Sequence, residues 1–84
     1  MIEPMLVLST AHVTEHTCNT FLPQWQGPAW QKGGYGWFLY VVDNTDELPT
    51  DLEACLHLAR SRGCFWVMLD RDAPAIIQLP TFDW

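Results

Sequence analysis

The sequence predicts an α+β domain of α/β-like character: a small mixed β-sheet with two helices, in the order β-α-β-α-β-β. Three observations lead there. A short apolar run, Met5 to Ser9, gives way to polar capping residues. Tyr35 to Val42 is dense in aromatic and β-branched residues, the composition of a strand. Thr50 to Arg62 carries an apolar stripe at helical spacing between start and stop signals. At 84 residues the chain makes one domain, 1–84. Size scaling gives about 5,100 Å² of folded surface against about 14,000 Å² unfolded, enough for one modest core.

Each element has its own local reason. Met5 to Ser9 follows Pro4 and reads as a buried strand. A helix over Glu15 to Leu22 takes Thr14 as N-cap and Glu15 in its first turn, and Pro23 sets its end. Its partly apolar face is Cys18, Phe21 and Leu22, with Val13 just outside. Gln24 to Gly34 is punctuated by glycine and proline and reads as a loop carrying Trp25 and Trp30. In Tyr35 to Val42 both alternating sets are apolar, which predicts a central strand covered on both sides.

Thr50 and Glu53 form an S/T-x-x-E capping box, and Leu52, Cys55, Leu56 and Ala59 make the inward stripe of the second helix. Arg60 and Arg62 suit its negative end, with Gly63 at C′. Cys64 to Leu69 is a further apolar strand. Ala75 to Leu79 reads as a short final strand, at an edge because of Pro74. Pro80 to Trp84 is a tail pinned by Phe82 or Trp84.

Charge narrows the partners. Ten carboxylates face four Lys and Arg side chains, a net charge of −6. Nucleic-acid binders neutralise phosphates with cations, so direct nucleic-acid contact is not expected, nor is an anionic membrane surface. A basic protein surface or a metal cation remains compatible. The first nine residues show no basic region or long apolar run, so no secretory signal is expected, and Gly34 to Val42 is too short for a spanning helix. Cys18, Cys55 and Cys64 are odd in number and follow no disulfide framework, which fits a reducing cytoplasm.

Few residues group into chemistry. His12, His16 and Cys18 are the one local set of soft ligands, but their spacing matches no closed zinc motif. Asp43-Asn44-Thr45-Asp46-Glu47 lacks the calcium-loop pattern and reads first as a solvated connection. Asp70 and Asp72 flank Arg71 in a turn, where carboxylates cap backbone N–H groups. No nucleophile-elbow sequence surrounds Ser9, which weakens a Ser9, His12, Asp43 triad. Catalytic residues, metal and cofactors are therefore expected to be none. Five tryptophans are hard to bury in one small core, and exposed indoles are common interface anchors.

Leu8-Ser9-Thr10-Ala11-His12-Val13-Thr14, Asp43-Asn44, Leu48-Pro49, Gly63-Cys64, Leu69-Asp70-Arg71-Asp72 and Leu79-Pro80-Thr81-Phe82-Asp83-Trp84 resemble a family of small uncharacterised proteins carried by plasmids, integrated elements and phages. The resemblance covers most of the chain and brings no catalytic residues. It implies carriage by a mobile element, and with it an inhibitor similar to anti-CRISPR proteins.

The expectation is a non-enzymatic, acidic protein-binding domain. It would occlude a nucleic-acid-binding surface of a host protein with a basic surface, such as a CRISPR effector complex. The contact residues expected are Trp25, Trp30, Asp43, Asp46, Glu47, Asp70, Asp72 and Trp84. Two alternatives stand beside it: a small metal- or ligand-binding protein centred on His12 and His16, and a structural homodimer whose tryptophans bury one another.

Overall fold

Four strands form one mixed sheet in the computed structural model, which describes residues 1–84. They are β1 (Met5–Ser9), β2 (Ala29–Gln31), β3 (Gly36–Tyr40) and β4 (Trp66–Asp70), in spatial order β1-β4-β3-β2. β4 runs parallel to β1 and antiparallel to β3, and β2 and β3 form a hairpin. Helix α1 occupies residues 15–24 and helix α2 is Thr50–Ser61. The expected α+β class, mixed sheet and pair of helices are all present. The accessible surface is 5,273 Å², close to the value expected from chain length.

The fourth strand comes from a different segment than the sequence predicts. Ala29–Gln31, inside the expected loop, pairs with Leu39, Phe38 and Trp37, so the chain order is β-α-β-β-α-β. A turn at Lys32 to Tyr35 closes this hairpin, with Gly33 at φ 51°, a left-handed conformation that glycine adopts without steric cost. Ala75 to Leu79 instead stays irregular. It is tied to the segment after β1, where Ile76 N–H donates to His12 Nε2 at 3.0 Å, and further along the tail Phe82 N–H donates to the Ala11 carbonyl at 2.8 Å.

Thr14 caps α1 as expected, its Oγ1 accepting from Thr17 N–H at 3.1 Å. The helix does not stop before Pro23, because it opens into a π-helical turn over Thr17–Phe21 and continues as Leu22–Gln24. Leu22 N–H donates five residues back to the Thr17 carbonyl. In that pattern the next donor would be Pro23, which has none. The free Cys18 carbonyl accepts from Trp37 Nε1 at 3.1 Å.

In α2 the Thr50–Glu53 capping box does not form. Glu53 N–H donates to the Pro49 carbonyl at 2.9 Å, with Pro49 as N-cap. Asp51 instead reaches α1, accepting from Thr14 N–H at 2.7 Å and from the Thr17 hydroxyl at 3.0 Å. One carboxylate thus joins the two helix starts. Gly63, at φ 73°, takes the expected C′ position.

Both helices lie on one side of the sheet. Leu8, Trp37, Leu39, Val67 and Leu69 meet Cys18 and Leu22 of α1 and Leu52, Cys55, Leu56 and Ala59 of α2 in a single core. The expectation that the central strand is covered on both sides is not met. No helix covers the opposite face, where Met5, Val7, Trp30 and Tyr40 are exposed and Phe38, Trp66 and Met68 half-buried. Two short helices supply apolar surface for one face of four strands and no more.

Candidate functional site

Trp25 ends α1, and its ring stacks on Phe21 with centroids 6.0 Å apart and planes at 28°. The ring lies over Gly27, where any Cβ would run into the indole. Across from it, the β3–α2 connection folds on itself: Asp46 N–H donates to Asn44 Oδ1 at 3.0 Å and Leu48 N–H to the Thr45 carbonyl at 3.1 Å. Those turns leave the Asp46 and Glu47 carboxylates in solvent. Trp25, Asp46 and Glu47 line one open groove, which His16, Thr20 and Gln24 extend along α1.

The other expected contact residues lie elsewhere. Asp43 borders a separate hollow with Arg60, Cys64 and Phe65, where the Arg60 guanidinium donates to the Val42 carbonyl. Asp70 pairs with Lys32 at 2.6 Å and accepts from Asp72 N–H at 2.8 Å, which makes it a structural turn residue. The Lys32 hydrogen bond holds the Asp70 carboxyl below its ordinary value. Asp72 is exposed in that turn. Trp84 is half-exposed but pinned, its Nε1 donating to the Val13 carbonyl at 2.9 Å. Trp30 sits on the open sheet face, 54% exposed.

On that face the register aligns Trp30 with apolar side chains that were not among the expected contacts. One cross-sheet row is Val7, Met68, Phe38 and Trp30, and the next is Met5, Trp66 and Tyr40. Trp66 lies beside Trp30 with centroids 5.8 Å apart and planes tilted by 46°, and edge-on to Tyr40 at 5.1 Å, and its Nε1 donates to Glu3 at 3.3 Å. Their signal was the second apolar set in each strand, combined with too few helices to cover it.

His12 is 1% exposed and clamps the C-terminal segment. Since Nε2 accepts from Ile76 N–H, Nδ1 carries the proton and donates to the Pro80 carbonyl at 2.9 Å. His16 lies on the groove instead, and no three His, Cys, Asp or Glu side chains are arranged to hold a metal ion. Ser9 Oγ accepts from Ala11 N–H at 3.0 Å. The three cysteines are unpaired, Cys18 and Cys55 buried and Cys64 half-buried. Burial, with the Asp51 charge second, pushes the Cys55 thiol up to about 12.

Fold and site together define a small two-layer α+β domain that offers open surfaces and one shallow aromatic–acidic groove. The chain belongs to a family of unknown function, DUF5983, matching its C-terminal domain over residues 5–84. This agrees with the resemblance to an uncharacterised family of small domains. No curated protein and no solved structure matches the chain. No helix is long and apolar enough to cross a membrane.

Proposed function

We propose that this chain is a non-enzymatic protein-binding domain whose partner presents a basic surface. The observation that carries the proposal is the groove in which Trp25 faces Asp46 and Glu47. A partner lysine or arginine laid there meets two carboxylates with its head and the apolar indole with its stem, so ionic attraction and burial of the stem act on one side chain. The net charge of −6 would steer such a partner in and keep phosphate backbones and anionic membranes away.

The same acidity supports a narrower proposal. The domain is a cytoplasmic inhibitor, carried on a plasmid or phage, that covers a nucleic-acid-binding surface of a host defence complex such as a CRISPR effector. Occlusion needs only a negative surface seated where phosphates would lie.

Affinity capture from host lysate at low and high salt, read by mass spectrometry, tests both proposals. A stoichiometric nucleic-acid-handling complex, lost at high salt and weakened by Asp46→Asn with Glu47→Gln, is the expected result. Binding unaffected by salt and by those substitutions would overturn the electrostatic mechanism.

A further inference from the structure

We propose that the open face of the sheet docks a second copy of this chain, face to face, about a two-fold axis that runs along the strands. This surface is apart from the groove of Trp25, Asp46 and Glu47 and does not depend on it. The pattern across the sheet is graded, with Met5 and Val7 at the β1 side and Phe38, Tyr40 and Trp30 at the β3 and β2 side. An axis between β4 and β3 lays Trp30 over Val7 and Phe38 over Met68. Rings of each copy then meet aliphatic chains of the other, and the Phe38–Met68 sulfur–ring contact is favourable. Sheets packed in this way stack at about 10 Å with strands within about 30° of one another.

Charge opposes a second copy less on this face than on the acidic rest of the surface. Two molecules of charge −6 repel through most of their surface. On the open face Lys32 and Asp70 neutralise each other at 2.6 Å, Lys32 lies 6.0 Å from the Phe38 ring centre, and Glu3 stands at one rim. Two acidic copies can bring this face together with least repulsion. Its exposed apolar side chains amount to on the order of 500 Å² per copy, judged from typical ring areas. With the polar rim added, docking comes to the lower end of the roughly 1,200–2,000 Å² in total that specific interfaces bury.

Sedimentation of the purified chain from low micromolar to millimolar concentration tests this. The expected result is a reversible dimer that tightens as salt rises, because screening removes like-charge repulsion. Salt acts in the opposite direction on the basic-partner complex, and Asp46→Asn with Glu47→Gln should leave the dimer intact, so the two proposals fail separately. Trp30→Glu and Val7→Lys should each weaken the dimer at least tenfold. Both sites are exposed, so the thermal transition should be retained. Mixing the two variants should restore a dimer, since the introduced charges face each other across the axis. A monomer at every concentration, a dimer indifferent to both substitutions, or a mixture that stays monomeric would each overturn the proposal.

Discussion

The Trp37 indole N–H donates to the Cys18 carbonyl at 3.1 Å, the acceptor that Pro23 leaves open in the π-helical turn. Trp37 belongs to β3 and Cys18 to α1, so this bond ties the first helix to the sheet. Trp37→Phe keeps a ring in the core but leaves a buried carbonyl without a donor. The expected loss is about 1–3 kcal/mol, read by urea unfolding. Unchanged stability would show that the carbonyl finds water.

His12 should control the C-terminal segment and little else. His12→Phe approximates the ring volume and removes both bonds to the segment. Hydrogen exchange should then accelerate at the Ile76 and Phe82 amides while the β4 amides stay protected. Acceleration spread evenly through the sheet would assign His12 to the whole core instead.

Acid should dissolve the Lys32–Asp70 tie. The Lys32 hydrogen bond first, and the Asp72 N–H second, lower the Asp70 carboxyl from its ordinary 3.8. A carboxyl lowered on folding adds stability that is complete above the ordinary value and lost as pH falls through the folded one. Asp70→Asn should therefore lower the melting temperature at neutral pH and make no difference in strong acid. A difference independent of pH would remove the ion pair as its cause.

Cys55 should behave in the opposite direction. Burial raises its thiol from 9.0 to about 12, so its contribution is complete below pH 9 and is lost as pH rises toward 12. The slope approaches about 1.4 kcal/mol per pH unit once the unfolded thiol ionises. Cys55→Val should flatten that alkaline loss in a pH series of unfolding curves. In the native protein at neutral pH, a thiol reagent should label half-buried Cys64 before buried Cys18 and Cys55. Early labelling of Cys55 would show that the core opens locally.

What could be read from sequence was what neighbouring residues decide. The α2 stripe, the Thr14 cap, the Gly63 stop and the extent of β1 each rest on a few adjacent side chains, though β1 lies at a sheet edge with Met5 and Val7 exposed and not buried as expected. β2 does not rest on neighbours: three residues, Ala29–Gln31, become a strand because β3 offers them an edge, while Ala75 to Leu79 is held at Ile76 by His12 instead. The Thr50–Glu53 box yielded to Asp51, whose better partners lie on another helix. At the candidate site, Trp25, Asp46 and Glu47 were each visible as residue types. Their meeting depends on where the end of α1 falls against the β3–α2 connection, which no local pattern encodes. Phe38, Tyr40 and Trp66 were visible as apolar residues, but their exposure follows from the number of covering helices.

The position of β4 also bears on how the chain assembles. The last strand in sequence is second in the sheet, hydrogen-bonded to β1 on one side and β3 on the other. Until it is synthesised, β1 and the β2–β3 hairpin have no backbone link, and the core side chains Val67 and Leu69 are absent. Long-range pairing of this kind is slow and leaves strand edges exposed meanwhile. A chain cut short before Trp66 would therefore present two unpaired apolar edges instead of a smaller version of the fold, and its main hazard in a cell would be aggregation.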